Sequence, residues 1–199
     1  MQIEELARAT AGAAMDGIKA FAQLERVLAA VCALSPLLMI WFDTWTVRES
    51  ISAYYDMTDA AAFYVPLTVA AMLFVVNGVV KHRHGYNWML GVALFGVIML
   101  NHTAFAWPHR VAASLFFGGN VVVIALARTK PVFKVAILGA AGILFLASLG
   151  LDGWKLFWLE WVSLGVIATN YVLDSLQDVE YQAPQAEGAD KKASVAELA

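Results

Sequence analysis

Apolar residues fall in six long blocks, at about 25–42, 60–80, 87–106, 109–127, 132–150 and 154–174, separated by short polar breaks. Each block is near the ~20 residues that a helix needs to cross the hydrocarbon core of a bilayer. The stretch before them has a different rhythm. Ile3, Leu6, Ala7, Ala14, Ile18 and Phe21 recur at helical spacing, interrupted by Thr10, with Glu4, Glu5 and Asp16 at other positions. This pattern predicts an amphipathic helix lying on the membrane or packed on the protein. From Gln177 onward the chain is polar and charged, with Pro184 and Gly188, and reads as a disordered tail. The expected architecture is therefore all-α: an interfacial helix at 1–24, a six-helix transmembrane bundle at 25–176 and a polar cytoplasmic tail at 177–199.

The breaks add detail. Only Trp107-Pro108 separates the third block from the fourth, which predicts a tight hairpin with Pro108 in the first turn of the next helix. The fifth block carries small residues at Ala136, Gly139, Ala140 and Gly142, which allow helices to approach closely. Composition agrees. The 199 residues are 61% hydrophobic and 15% charged, against about 45–50% and about 25% in a soluble domain. The net charge of −3 comes with no basic patch, so nucleic acid is not an expected partner. The expected partners are the lipid bilayer and either other membrane subunits or a second copy. Cys32 is the only cysteine, so no intrachain disulfide can form, and its apolar setting reads as packing. The first 25 residues hold Glu4, Glu5, Asp16 and Glu25 against Arg8 and Lys19, unlike the basic opening of a cleavable signal peptide.

Lysine and arginine in short loops set orientation. The 81–86 turn carries Lys81 and Arg83, and the 128–134 turn carries Arg128, Lys130 and Lys134. The opposite loops hold one basic residue each, Arg48, Arg110 and Lys155, and the first adds Asp43, Glu49, Asp56 and Asp59. Both termini are then expected in the cytoplasm, across what would be a bacterial inner membrane. Trp41, Trp45, Trp107, Trp154 and Trp158 fall near the outer interface, where aromatic belts sit.

Orientation gives each polar residue a depth. Glu160 lies inside the apolar run 156–168, roughly 10 Å below the outer surface at about 1.5 Å per residue. A carboxylate there is costly, so it faces a cavity, a partner or a functional site. Ser163, Asn170 and Asp174 follow it on one helical face. Asn77, Asn120 and Asn170 share the inner half of the membrane, where they could bond one another or line a polar path. On the outer side lie His102, His109 and the loop with Ser50, Ser52, Tyr54, Tyr55 and Asp56. An imidazole in the first turn of a helix, as at His109, sits at the positive end of the helix dipole; this favours the neutral form that a metal ligand must have. His102 and His109 are candidate ligands, with zinc the candidate ion, although their spacing is not a recognised metal motif. Each also has a bland reading, as an interfacial cap or a partner of a helix carbonyl. Thr58 or Asp59 reads as the N-cap of the second helix. No base is adjacent to Ser50 or Ser52, so spacing alone gives no nucleophile.

Ser50-Ile51-Ser52-Ala53-Tyr54-Tyr55 resembles the Ser-Ile-Ser-x-Tyr-Tyr loop of a group of uncharacterised small bacterial multi-pass membrane proteins. The segment His109-Arg110-Val111-Ala112-Ala113-Ser114-Leu115-Phe116-Phe117 is similar to the group's His-x-x-x-Ala-x-x-Phe-Phe stretch, and Glu160 matches an acidic residue in its last helix. The likeness covers roughly 25–176 and implies no particular activity. A more remote likeness is to the membrane hydrolases of the alkaline ceramidase and adiponectin-receptor type, which use three histidines on zinc with a serine and an aspartate. It would draw on Ser52, Asp56, His102 and His109. The chain departs from that pattern in having six blocks rather than seven and no His-x-x-x-His in the last.

Three functions fit these residues. The first is a binding, accessory or sensor protein for a lipid-like ligand or membrane partner, with Tyr54, Tyr55, Glu160 and Ser163 as ligand-binding candidates. The second is a metal-dependent hydrolase of lipids or amphiphiles, with Glu160, Asp56 and Ser52 as catalytic candidates and His102 and His109 on the metal. The third is a small proton- or ion-coupled transporter using the stripe on the last helix.

Overall fold

The computed structural model describes residues 2–80, 85–126, 134 and 156–196. Among them the chain is helical, without strands: α1 (Gln2–Phe42), a short 3-10 helix (Ile51–Asp56), α2 (Ala61–Val80), α3 (Tyr86–Met99), α4 (Ala106–Leu126) and α5 (Leu156–Ala196). Four stretches are long and apolar enough to cross a membrane: Gln23–Phe42, Ala61–Val80, Ala106–Leu126 and Leu156–Leu176. They correspond to the first, second, fourth and sixth sequence blocks. The fifth block, 132–150, lies outside the described residues apart from Lys134, as does the Lys81–His84 turn.

The third block departs from its expected length. α3 ends at Met99, 14 residues from its start, and spans about 21 Å at 1.5 Å per residue. Asn101 accounts for the stop. Its Oδ1 accepts hydrogen bonds from Thr103 N at 2.7 Å, Thr103 Oγ1 at 2.5 Å and Ala104 N at 3.3 Å, turning the chain before α4. α4 begins at Ala106, three residues before the expected start, so Pro108 still sits in its first turn.

At the ends of the chain the helices run further than the sequence blocks. α1 continues without a break from Gln2 into its membrane-crossing half, so the expected interfacial helix and first span share one backbone helix. α5 likewise continues to Ala196, across the stretch expected to be a disordered tail.

Proline in a crossing helix removes one backbone donor. Pro36 lies inside α1, and the carbonyl it would leave open is that of Cys32. The Ser35 hydroxyl donates to that carbonyl at 3.4 Å. One residue along, the Ala33 carbonyl accepts the Trp161 indole N–H at 3.2 Å, tying α1 to α5 beside the proline turn. Such replacement partners are what a bilayer demands of a broken helix.

α1 packs on α5 and α2; α3 packs on α2 and α4. The α2–α3 pairing needs glycine. A Cβ on Gly78 would sit 2.2 Å from Trp88 N, and one on Gly91 would sit 2.7 Å from the Ala71 carbonyl. At the centre, the Phe74 ring meets Phe116 and Tyr171 edge-on, each at 5.5 Å, joining α2, α4 and α5. Val65, Met72, Val92 and Leu115 point outward and exposed, as lipid-facing side chains do.

Candidate functional site

The chain leaves α1 through a strained turn. Trp45 N donates to the Ile40 carbonyl at 2.8 Å, and Thr44 and Trp45 both adopt left-handed backbone, with φ of 51° and 64°. Two non-glycine residues in that region cost about 1 kcal/mol or more each, so the surroundings must hold them. The turn delivers Trp45 to the surface, 68% exposed, against the edge of the exposed Trp41 ring at 5.2 Å.

Behind this rim the loop is tightly bonded. Arg48 grips Asp43 in a fork, Nε to Oδ2 at 2.7 Å and Nη2 to Oδ1 at 3.1 Å, while Nη1 donates to the Ala53 carbonyl at 3.2 Å. That pairing holds the Arg48 guanidinium above its ordinary range. Its guanidinium lies 5.7 Å from the centre of the Tyr54 ring. The Tyr54 hydroxyl donates to the Thr46 carbonyl at 2.7 Å and accepts from Arg48 N at 3.2 Å. Burial pushes this hydroxyl above its ordinary pKa, against the pull of the Arg48 N–H. Ser50 caps the 3-10 helix: its Oγ accepts from Ala53 N at 3.2 Å and lies 3.0 Å from the Ser52 hydroxyl.

Glu160 completes the loop. Its Oε2 accepts the Ile51 N–H at 2.6 Å, while Phe157 N, in the first turn of α5, donates to the Glu49 carbonyl at 2.8 Å. First-turn N–H groups have no partner inside their own helix. Here each of two helix starts supplies the acceptor for the other, a capping box spread over residues more than a hundred apart. Phe157, fully buried, fills the space between, with ring contacts to Tyr54 at 5.7 Å and Trp161 at 5.9 Å.

The sequence candidates are thus distributed as follows. Tyr54 and Glu160 join in one platform with Ser50 and Ser52. Tyr55 packs edge-on against Phe63 and Tyr64, and Asp56 is exposed at the platform's end. Ser163 bonds the Leu159 carbonyl of its own helix at 2.8 Å. Neither Thr58 nor Asp59 caps α2 by its side chain; the Asp59 carbonyl accepts from Ala62 N instead, at 3.1 Å. His102 and His109 do come together, their ring centres 6.1 Å apart, and His109 Nδ1 lies 2.8 Å from the Leu100 carbonyl. Ser52 and Asp56 make no contact with either imidazole. Among the described residues no three His, Cys, Asp or Glu side chains gather at one point.

A second polar cluster was not expected from the sequence. Glu25 lies fully buried, and its Oε1 accepts from Asn77 Nδ2 at 3.2 Å; Asn77 Oδ1 in turn accepts from Asn87 Nδ2 at 2.5 Å. The three expected asparagine partners are therefore not each other's. Asn77 serves this chain, Asn120 donates to the Phe116 carbonyl at 2.8 Å, and Asn170 is buried on α5. Asn87 Oδ1 and the Tyr171 hydroxyl are buried without a hydrogen-bond partner among the described residues. The signal for this cluster was present in Glu25 and Asn87, which sit at the inner ends of apolar blocks and so read as boundary residues.

Comparison with curated proteins and with solved structures gives no match. A family model does match, over residues 34–175, a stretch that holds the whole platform, His102, His109, Asn77 and Asn87. The chain that builds this reciprocal cap belongs to that family, a family of unknown function (DUF7103).

Proposed function

We propose that the protein is an integral membrane binding or accessory protein whose outer platform, residues 43–56, recognises a lipid-like ligand or a membrane partner. One observation carries this reading. Asp43, Arg48, Ser50, Ser52 and Tyr54 are bonded within the loop, and Trp45 of the strained turn stands exposed beside Trp41 at the end of α1. A loop ordered in advance adds little entropy cost when it binds. Exposed tryptophans at membrane-interface depth offer amphipathic contact to head groups or to an apolar partner surface. Tyr55 and Asp56 add a polar edge, while Tyr54 and Glu160 fix the platform's shape and Ser163 lies below it.

The lysine and arginine bias supports an orientation with both termini in the cytoplasm of a bacterial inner membrane and the platform outside. In this reading α3 and the 132–150 block add two crossings to the four helices of crossing length. A cysteine placed at position 83 should stay unreactive to an impermeant external reagent. Labelling from outside would invert the orientation.

Binding is tested on protein purified under mild conditions. Native mass spectrometry should find a lipid or partner retained by the wild type and lost by the Trp41→Ala/Trp45→Ala variant at unchanged thermal stability. Equal retention by the two proteins would remove the platform from recognition.

A further inference from the structure

The turn between α3 and α4 is built more firmly than a connection requires. Asn101 accepts three hydrogen bonds within it. Phe105 N closes on the Asn101 carbonyl at 2.8 Å, and His109 N on the Phe105 carbonyl at 2.9 Å. This scaffold fixes two imidazoles against each other. His109 is buried, and its Nδ1 faces the Leu100 carbonyl at 2.8 Å. A carbonyl can only accept, so Nδ1 carries the proton and Nε2 is left with the lone pair in the neutral ring. A histidine bonded to a backbone carbonyl through its other ring nitrogen is the usual arrangement around a bound metal. His102 offers the complement: its Nδ1 is shielded from solvent and has no hydrogen-bond partner among the described residues. A buried polar atom left so costs about 1–3 kcal/mol. Metal–nitrogen bonds of about 2.0–2.1 Å place the ring centres of two imidazoles on one ion roughly 5–6 Å apart. The observed 6.1 Å lies just above that range.

We propose that His102 and His109 form a binding site for a borderline transition-metal cation of the zinc type, held by His102 Nδ1 and His109 Nε2. No third His, Cys, Asp or Glu joins them among the described residues. Water completes the coordination, and the ion is exchangeable rather than locked in. Imidazole nitrogens select zinc, copper(II) and nickel over magnesium and calcium, which take oxygen ligands. The site stands independently of recognition by the 43–56 platform.

The test uses full-length protein in detergent, stripped with chelator and titrated with zinc chloride by calorimetry, with bound zinc counted after desalting. The wild type should bind one ion per chain saturably, and magnesium should not compete. His102→Gln and His109→Gln should each weaken binding by more than the roughly 10–100-fold lost when only an outer partner of a ligand is removed. The chain's other histidines, His82 and His84, provide the control, and His82→Gln/His84→Gln should bind as the wild type does. His102→Gln leaves the Leu100 bond intact, so it tests the site even where His109→Gln fails to fold. No saturable zinc binding by the wild type, or binding that follows His82 and His84, would overturn the site.

Discussion

Two carboxylates of this bundle, Glu160 and the buried Glu25, are stabilised in opposite ways. Glu160, near the start of α5, is matched by a main-chain N–H of a separate loop, and that loop returns an acceptor to the start of Glu160's own helix. Glu25, on α1, is matched by a side-chain amide, which is itself held by a second amide from a third helix. The Glu160 arrangement is closed: its donors and acceptors answer each other across 43–56 and α5. The Glu25 arrangement is a directed chain whose last oxygen, Asn87 Oδ1, has no partner among the described residues. A closed set makes a rigid shape, which suits a recognition platform. A chain with an open end couples three helices through one residue, so the middle member carries the most.

That contrast can be broken by substitution. The largest effect should come from Phe157→Ala. The ring is fully buried between the platform and α5, and losing it should cost about 3–5 kcal/mol. Unfolding in mixed micelles would measure the loss, and hydrogen exchange should rise through 46–56. Asn77→Leu should come next, at about 2–3 kcal/mol, because it strips Glu25 of a buried hydrogen bond and Asn87 of its acceptor together. Its exchange increase should fall on α1, α2 and α3 and leave 46–56 protected. Glu160→Ala should cost about 1.5–3 kcal/mol, with the opposite pattern: 46–56 exposed and the Glu25 chain unchanged. The hydrogen bonds of Asn77 and of Glu160 fall on different residues, so Asn77→Leu and Glu160→Ala should add within about 0.5 kcal/mol. Strong coupling between them would refute their independence.

The sequence revealed the helices better than their polar contacts, and the reason is physical. Burial in lipid leaves a long apolar block, so Ala61–Val80 and Leu156–Leu176 stand out from composition. The short α3 does not, because Asn101 ends it through its side chain within a block whose apolar residues resume at Ala104-Phe105-Ala106. Glu160 was recognisable as costly, since a carboxylate amid Trp, Leu and Val needs a partner. Its partner was not, because the acceptor meets the backbone N–H of Ile51, and a backbone group carries no sequence signature. Glu25 misled in the other direction. At the edge of a block a carboxylate looks solvated, and only the packing of α1 on its neighbouring helices buries it. Tyr54 was singled out with Tyr55 as a ligand contact, whereas the structure uses its hydroxyl to hold Thr46 and Arg48.

Tyr54 therefore provides the finest test of the closed platform. Tyr54→Phe keeps the ring against Phe157 but removes the donor to Thr46 and the acceptor for Arg48 N, for a loss of about 1 kcal/mol at neutral pH. The same hydroxyl gives a pH signature. Burial raises its pKa in the folded protein above the unfolded value of about 10. Its neutral form is thus favoured by folding. That contribution is complete below the unfolded pKa and is lost as pH rises through the folded one. Unfolding of wild type and Tyr54→Phe, compared from pH 7 to pH 11, should show a constant gap that narrows only in the alkaline arm. Other alkaline titrations affect both proteins alike and cancel in the difference. A gap that narrows near neutral pH would assign it to a different group. A gap that persists undiminished to the alkaline limit would mean that the hydroxyl is not held neutral in the fold, and the inward-facing hydrogen bonds of the platform would lose their central member.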